Sequence, residues 1–176
     1  MTKMNKKTHY IAQAGMIAAL YVVLTVLTNM LGLAGTNAIQ FRLSESLAIL
    51  AFFTPAAIPG LFIGCFLANT VIAFNPIDMV IGSLATLAAA VWTYGFSRRS
   101  ITKPVAKWLA PWPAILINAA IIPFVIRYAY GVPEYIHILA IFVFVGQLVV
   151  CAGIGYPLLF AIKPHARRIF GDALID

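Results

Sequence analysis

The sequence predicts an all-α integral membrane protein, a six-transmembrane-helix bundle with its N and C termini cytoplasmic. Composition is the first ground: 62% of the residues are apolar and only 10% are charged, against about half and roughly a quarter in a soluble domain. Mean hydropathy is +0.97, and a soluble fold of 176 residues cannot hide that much apolar surface. The second ground is a succession of apolar runs cut by Pro-, Gly- and Asn-bearing turns. The third is the placement of Lys and Arg, which sets the orientation.

The whole chain, 1–176, reads as one transmembrane domain with spans at approximately 10–34, 38–54, 58–74, 76–96, 111–130 and 135–162. The first follows a basic lead with Lys3, Lys6 and Lys7. Its apolar part, 11–34, covers roughly 36 Å as a helix, too long for the apolar stretch of a signal peptide. The Arg42–Thr54 segment alone is about 20 Å of helix, short of a core of about 30 Å, so it must recruit 38–41, tilt or sit inside the protein. Pro55, Pro59 and Gly60 end it and start the third span. Asn75-Pro76 makes the turn into the fourth, which stops at Arg98 and Arg99. Trp108 and Trp112, around the start of the fifth, read as interfacial anchors. Gly131, Val132 and Pro133 turn the chain into the sixth, which ends at KPHARR.

Lys3, Lys6, Lys7, Arg98, Arg99, Lys103, Lys107, Lys163, Arg167 and Arg168 fall on one side of this arrangement, with Arg42 and Arg127 towards the other. The positive-inside rule makes the first side cytoplasmic. Asp172 and Asp176 belong to the cytoplasmic tail, while Glu45, Asp78 and Glu134 map to the outer half. No aromatic-interleaved basic face supports a nucleic-acid partner, despite the net charge of +7.

Charged groups at membrane depth are costly and mark functional sites by default. Arg42 and Glu45, three apart, share a helix face and can pair. Either they lock helix packing or they meet a polar ligand, and their depth favours the ligand. Asn69 lies at a similar depth. Asn118 and Gln147 sit mid-span, where interhelical hydrogen bonding and ligand contact are both open readings. Asp78 opens the fourth helix, where it suits a ligand or simply complements the helix dipole as a cap. Glu134, after Pro133, reads rather as a cap. Tyr128, Tyr130 and Tyr135 form an aromatic belt that also offers stacking surface. Cys65 and Cys151, in apolar runs, read as small hydrophobes.

His9, His137 and His165 match no metal spacing. No Walker loop, nucleophile elbow or zinc-protease helix is present. The expectation is a transport protein rather than an enzyme, without cofactor or metal. Uphill transport would then draw on a partner or an ion gradient. In the first span, Ala14 and Ala18 lie four apart with Gly15 and Ala19 beside them, a smooth face for another helix, inside the bundle or outside it.

The segments FRLSESL, FFTPAAIPGLFIGC and LAN, with the Asn-Pro-x-Asp-x-x-x-Gly-Ser-Leu-Ala-Thr run from Asn75 to Thr86, resemble the queuosine-precursor transporter family, QueT. Its members are substrate-binding S components of energy-coupling-factor (ECF) transporters. The resemblance implies a pocket near the extracellular face, in the cell membrane of a bacterium, for a 7-deazaguanine such as 7-aminomethyl-7-deazaguanine, or queuine. It implies as partners a transmembrane scaffold subunit and two cytoplasmic ATPase subunits, with Ala14 and Ala18 docking on the scaffold. The alternative is an S component or secondary transporter for another small vitamin-like heterocycle. A secondary transporter calls for coupling residues at the midplane and internal repeats, and neither is visible.

Overall fold

Ten residues of 3-10 helix, Leu43–Phe52, run through the middle of the molecule, with every position from Ser44 to Phe52 buried. The computed structural model describes residues 6–33, 41–72, 74–100 and 104–171. Lys3, Lys103, Asp172, Asp176 and the expected helix start at 38–40 lie outside them. All regular structure among the described residues is helical.

Around the inner helix stand α1 (Lys6–Met30), α2 (Ala57–Ile72), α3 (Ser83–Ser100) and a hairpin of α5 (Trp112–Ala129) with α6 (Ile136–Gln147). A π-helical turn, Asp78–Gly82, leads into α3. A second, Leu148–Ile154, joins α6 to α7 (Gly155–Ile162). Short helices α4 (Pro104–Leu109) and α8 (Ala166–Phe170) complete the chain. Four helical stretches are long and apolar enough to cross a membrane: Lys6–Met30, Asp78–Arg99, Val105–Ala129 and Ile136–Phe170. Leu43–Phe52 and Ala57–Ile72 are apolar but shorter. That pattern fits a multi-pass membrane protein.

Two departures from the expected elements have physical causes. The second segment is 3-10 rather than α, so its ten residues stretch to roughly 20 Å instead of about 15 Å. Runs that long are uncommon and mark strained or functional segments. The last helical rod passes position 162 to Phe170. Phe170 stacks on Phe53, with ring centroids 5.9 Å apart, and accepts a hydrogen bond from Gln13 on its carbonyl at 3.1 Å.

Helix α1 lies along α2 because two glycines let the backbones approach. A Cβ on Gly64 would stand 2.7 Å from Tyr21 Cβ and 3.0 Å from Ala18 Cα, and one on Gly60 would stand 2.8 Å from the Ala14 carbonyl oxygen. The smooth Ala14–Ala18 face is therefore filled by α2. The opposite side of α1 carries exposed Ile11, Met16, Leu20, Val23 and Leu27, an apolar surface suited to lipid.

Contacts between distant segments define two ends. At one, Tyr10 donates to the Pro55 carbonyl, Ser97 donates to the Phe52 carbonyl and Gln13 reaches Phe170. This end gathers the basic start of α1, Arg98 and Arg99 on α3, and Arg167 and Arg168 on α8. At the other, Asn75 donates to the Ala129 carbonyl at 2.8 Å. There Arg127 clamps the α5–α6 turn through the carbonyls of Val132 and Glu134, both at 3.1 Å.

Candidate ligand-binding site

Near that second end, the start of the inner 3-10 helix carries the polar centre of the molecule. Glu45 is 2% exposed, yet its carboxylate is well supplied with donors. Oε1 accepts from the Tyr21 hydroxyl of α1 at 2.5 Å and from Thr86 of α3 at 3.4 Å. Oε2 accepts from the Asn118 amide of α5 at 3.2 Å. A buried carboxylate is tolerated only with such donors.

Arg42 sits just before the 3-10 helix in extended backbone. Its Nη2 lies 2.9 Å from Oδ2 of Asp78 in the π turn, and the Tyr130 hydroxyl donates to the same oxygen at 2.7 Å. Asn69 of α2 donates to the Asp78 main-chain carbonyl at 3.1 Å, tying α2 to that turn. Oδ1 of Asp78 is buried with no hydrogen-bond partner.

Arg42, Glu45, Asn118 and Gln147 line one small cavity with Ile122 and Val143. Gln147 faces it from the end of α6 and accepts from the Cys151 thiol at 3.1 Å. Cys151 also approaches the Glu45 carbonyl at 3.6 Å. The cavity holds about 10 Å³, room for about one water. Ligand pockets run to about 300–1,000 Å³, so a bicyclic base can enter only if the surrounding helices part.

A family model for the QueT transporter matches residues 11–164. The chain belongs to the QueT transporter family. A relative described as "Queuosine precursor transporter QueT", from Lactococcus lactis subsp. cremoris (strain MG1363), is 41% identical over 83 residues, 47% of this chain and 48% of that protein. The match thus spans about half the length of that relative. No solved structure matches.

All six polar residues singled out in the sequence fall in one region of this family member. Four line the cavity, and Asn69 and Asp78 adjoin it behind Arg42. Two details need correction. Arg42 does not pair with Glu45 along a shared helix face; it precedes the helix and pairs with Asp78. Nor does Asp78 cap: Asn75 takes that role, its Oδ1 accepting from the Ile77 amide at 3.0 Å. Cys65 and Cys151 are both buried and free, and both contact polar partners, Cys65 lying 3.5 Å from the Thr86 hydroxyl oxygen.

Tyr21 and Thr86 were not singled out. A tyrosine in the middle of an apolar run needs a partner for its hydroxyl, and that signal was available for Tyr21. Nothing local distinguishes Thr86, whose hydroxyl also returns to the Gly82 carbonyl at 3.1 Å.

Proposed function

We propose that the chain is the substrate-binding S component of an ECF importer, in the cell membrane of a bacterium. Its cargo on this reading is a queuosine precursor, a 7-deazaguanine such as 7-aminomethyl-7-deazaguanine, or queuine. The carrying observation is Glu45, a carboxylate buried among donors on three different helices and lining a polar cavity in a QueT-family chain.

The chemistry matches the cargo. A 7-deazaguanine presents N1–H and its exocyclic amine side by side, and a carboxylate accepts such a pair in parallel. Glu45 keeps an acceptor position on Oε2, and its 3.4 Å contact from Thr86 is the easiest to displace. Asn118 and Gln147 can turn to the carbonyl and ring-nitrogen edge. Tyr130, beside Arg42 and Asp78, is the aromatic best placed to cover the ring.

In this reading all six helical rods span the bilayer, the basic end faces the cytoplasm and the Arg42–Asp78 end faces outside. A scaffold subunit and two ATPase subunits supply the work. Because α2 occupies the Ala14–Ala18 face, scaffold docking moves one position round α1. Gly15 and Ala19 lie on its exposed side, and a Cβ on Gly15 would meet nothing within 4 Å.

Uptake of labelled 7-aminomethyl-7-deazaguanine by cells expressing the chain, with and without co-expressed scaffold and ATPase subunits, tests the assignment. Uptake only with the partners is the expected result. Partner-independent accumulation driven by an ion gradient would instead make it a secondary transporter.

A further inference from the structure

At the basic end of the molecule the short helix α4 is pinned to α7. The Tyr156 hydroxyl donates to the Trp108 carbonyl. The Trp108 ring meets those of Tyr156 and Phe160, with centroids 5.3 Å and 5.8 Å apart. Lys107 directly precedes Trp108, and Lys163 follows Phe160 by three positions, a spacing that keeps it on the same side of the rod. The seam thereby brings the Lys107 and Lys163 amines into contact with each other. Two ammonium groups side by side repel. Among the described residues no Asp or Glu stands at this end, since Glu45 and Asp78 belong to the cavity region and Glu134 to the α5–α6 turn. An anion between the two amines would replace their repulsion with two charge-assisted hydrogen bonds.

The surroundings suit a lipid better than a soluble anion. Trp108 and Phe160 are exposed, aromatic rings beside cations as at a bilayer boundary. Leu109, next along α4, turns to the other flank and lines a groove of about 250 Å³ with Trp92, Phe96, Trp112, Pro113 and Leu116. Apolar and aromatic throughout, that groove offers an acyl chain a bed two residues from Lys107. Basic pockets between membrane helices hold anionic headgroups by the same combination.

We propose that the α4–α7 seam binds one anionic phospholipid, its phosphodiester held between Lys107 and Lys163 and an acyl chain laid in the groove beside α4. The bound lipid neutralises the lysine pair and fastens α4 to α7. The site lies apart from the Glu45 cavity and is independent of the cargo.

The test is native mass spectrometry of the purified full chain, supplied with an equal mixture of phosphatidylglycerol and phosphatidylcholine carrying identical tails. The wild-type protein should retain the anionic lipid roughly tenfold or more over the zwitterionic one, the scale set by two lysines at an anionic headgroup. Lys107→Gln/Lys163→Gln should bring the two lipids to within about threefold. Arg98→Gln/Arg99→Gln, which removes two cations of the same end outside the seam, should keep the preference. Equal loss in the arginine variant overturns the proposal, because the preference would then belong to the diffuse charge of the whole end. Equal retention of both lipids by the wild type also overturns it and leaves the lysine pair to a partner protein's carboxylate. Displacement of phosphatidylglycerol by millimolar inorganic phosphate overturns it too, reducing the seam to a site for soluble anions.

Discussion

Arg42 reaches past Glu45, three residues along its own segment, to pair at 2.9 Å with Asp78, 36 positions on. The consequence is a division of labour between the two acids. Glu45 is held by neutral donors inside the bundle, while Asp78 joins the start of the inner helix to the π turn before α3. Tyr130, from the end of α5, closes the same junction. The three residues fasten three segments at the end of the molecule where the cavity lies.

That junction predicts non-additive stability. Asp78 is 1% exposed and the Arg42 side chain 16%, and removing one member of a buried pair costs about 3–5 kcal/mol. Arg42→Gln should lower the thermal midpoint in detergent by roughly 6–20 °C, at about 2–4 °C per kcal/mol for a chain of this size. The Arg42→Gln/Asp78→Asn double variant should recover at least half of the loss. A double variant as unstable as the sum of its singles would mean that the two side chains act independently.

The α1–α2 contact separates packing from docking. Gly64→Leu places its Cβ where Tyr21 and Ala18 already stand, an overpacking that costs about 1–3 kcal/mol and should reduce the folded yield. A Cβ on Gly15 would meet nothing within 4 Å, so Gly15→Leu adds bulk on the exposed side of α1. It should leave folding and ligand binding unchanged while abolishing partner-dependent uptake. Normal uptake by Gly15→Leu would remove this face of α1 from the docking proposal.

Orientation can be read by single-cysteine labelling with a membrane-impermeant thiol reagent on intact cells. Cys65 and Cys151 are buried and should contribute little background. A cysteine at Gly131, in the turn between α5 and α6, should label, and one at Arg99, at the end of α3, should not. The opposite pattern would put the Arg42–Asp78 end in the cytoplasm.

The sequence showed the helical class and the set of polar residues that converge, because each rests on a local property. Apolar runs, prolines and charges out of place in them need no knowledge of the partner helix. Pairing is another matter. Whether Arg42 meets Glu45 or Asp78 depends on where the inner segment starts and on its 3-10 pitch, neither of which spacing reveals. Likewise the Ala14–Ala18 stripe shows a close helix contact but not with whom. Gly60 and Gly64 supply the answer, and from the sequence Gly60 reads only as part of a turn until α1 and α2 are placed side by side. Thr86 stayed hidden because a threonine in a helix usually bonds its own backbone, as this one also does.

Tyr21 offers a graded probe of the site. Tyr21→Phe removes the 2.5 Å hydrogen bond to Glu45 Oε1 and keeps the ring between α1 and α2. A hydrogen bond to a charged group is worth about 1.5–3 kcal/mol, so the apo protein should lose several degrees of thermal midpoint. Ligand binding should weaken less than with any change at Glu45 itself, since Tyr21 only orients the carboxylate. A larger effect on affinity than Glu45→Gln produces would make the tyrosine hydroxyl the ligand's own partner.

The most direct measurement is titration calorimetry of Glu45→Gln with 7-aminomethyl-7-deazaguanine. The neutral amide removes the charge without opening a cavity, so the protein should remain folded. Loss of a charge-assisted pair in a water-poor site costs about 1.5–3 kcal/mol, with the desolvation of unpaired groups added. The dissociation constant should therefore rise by roughly tenfold to a few hundredfold. Unchanged affinity with a lowered thermal midpoint would contradict the account, leaving Glu45 a structural acceptor for Tyr21, Thr86 and Asn118.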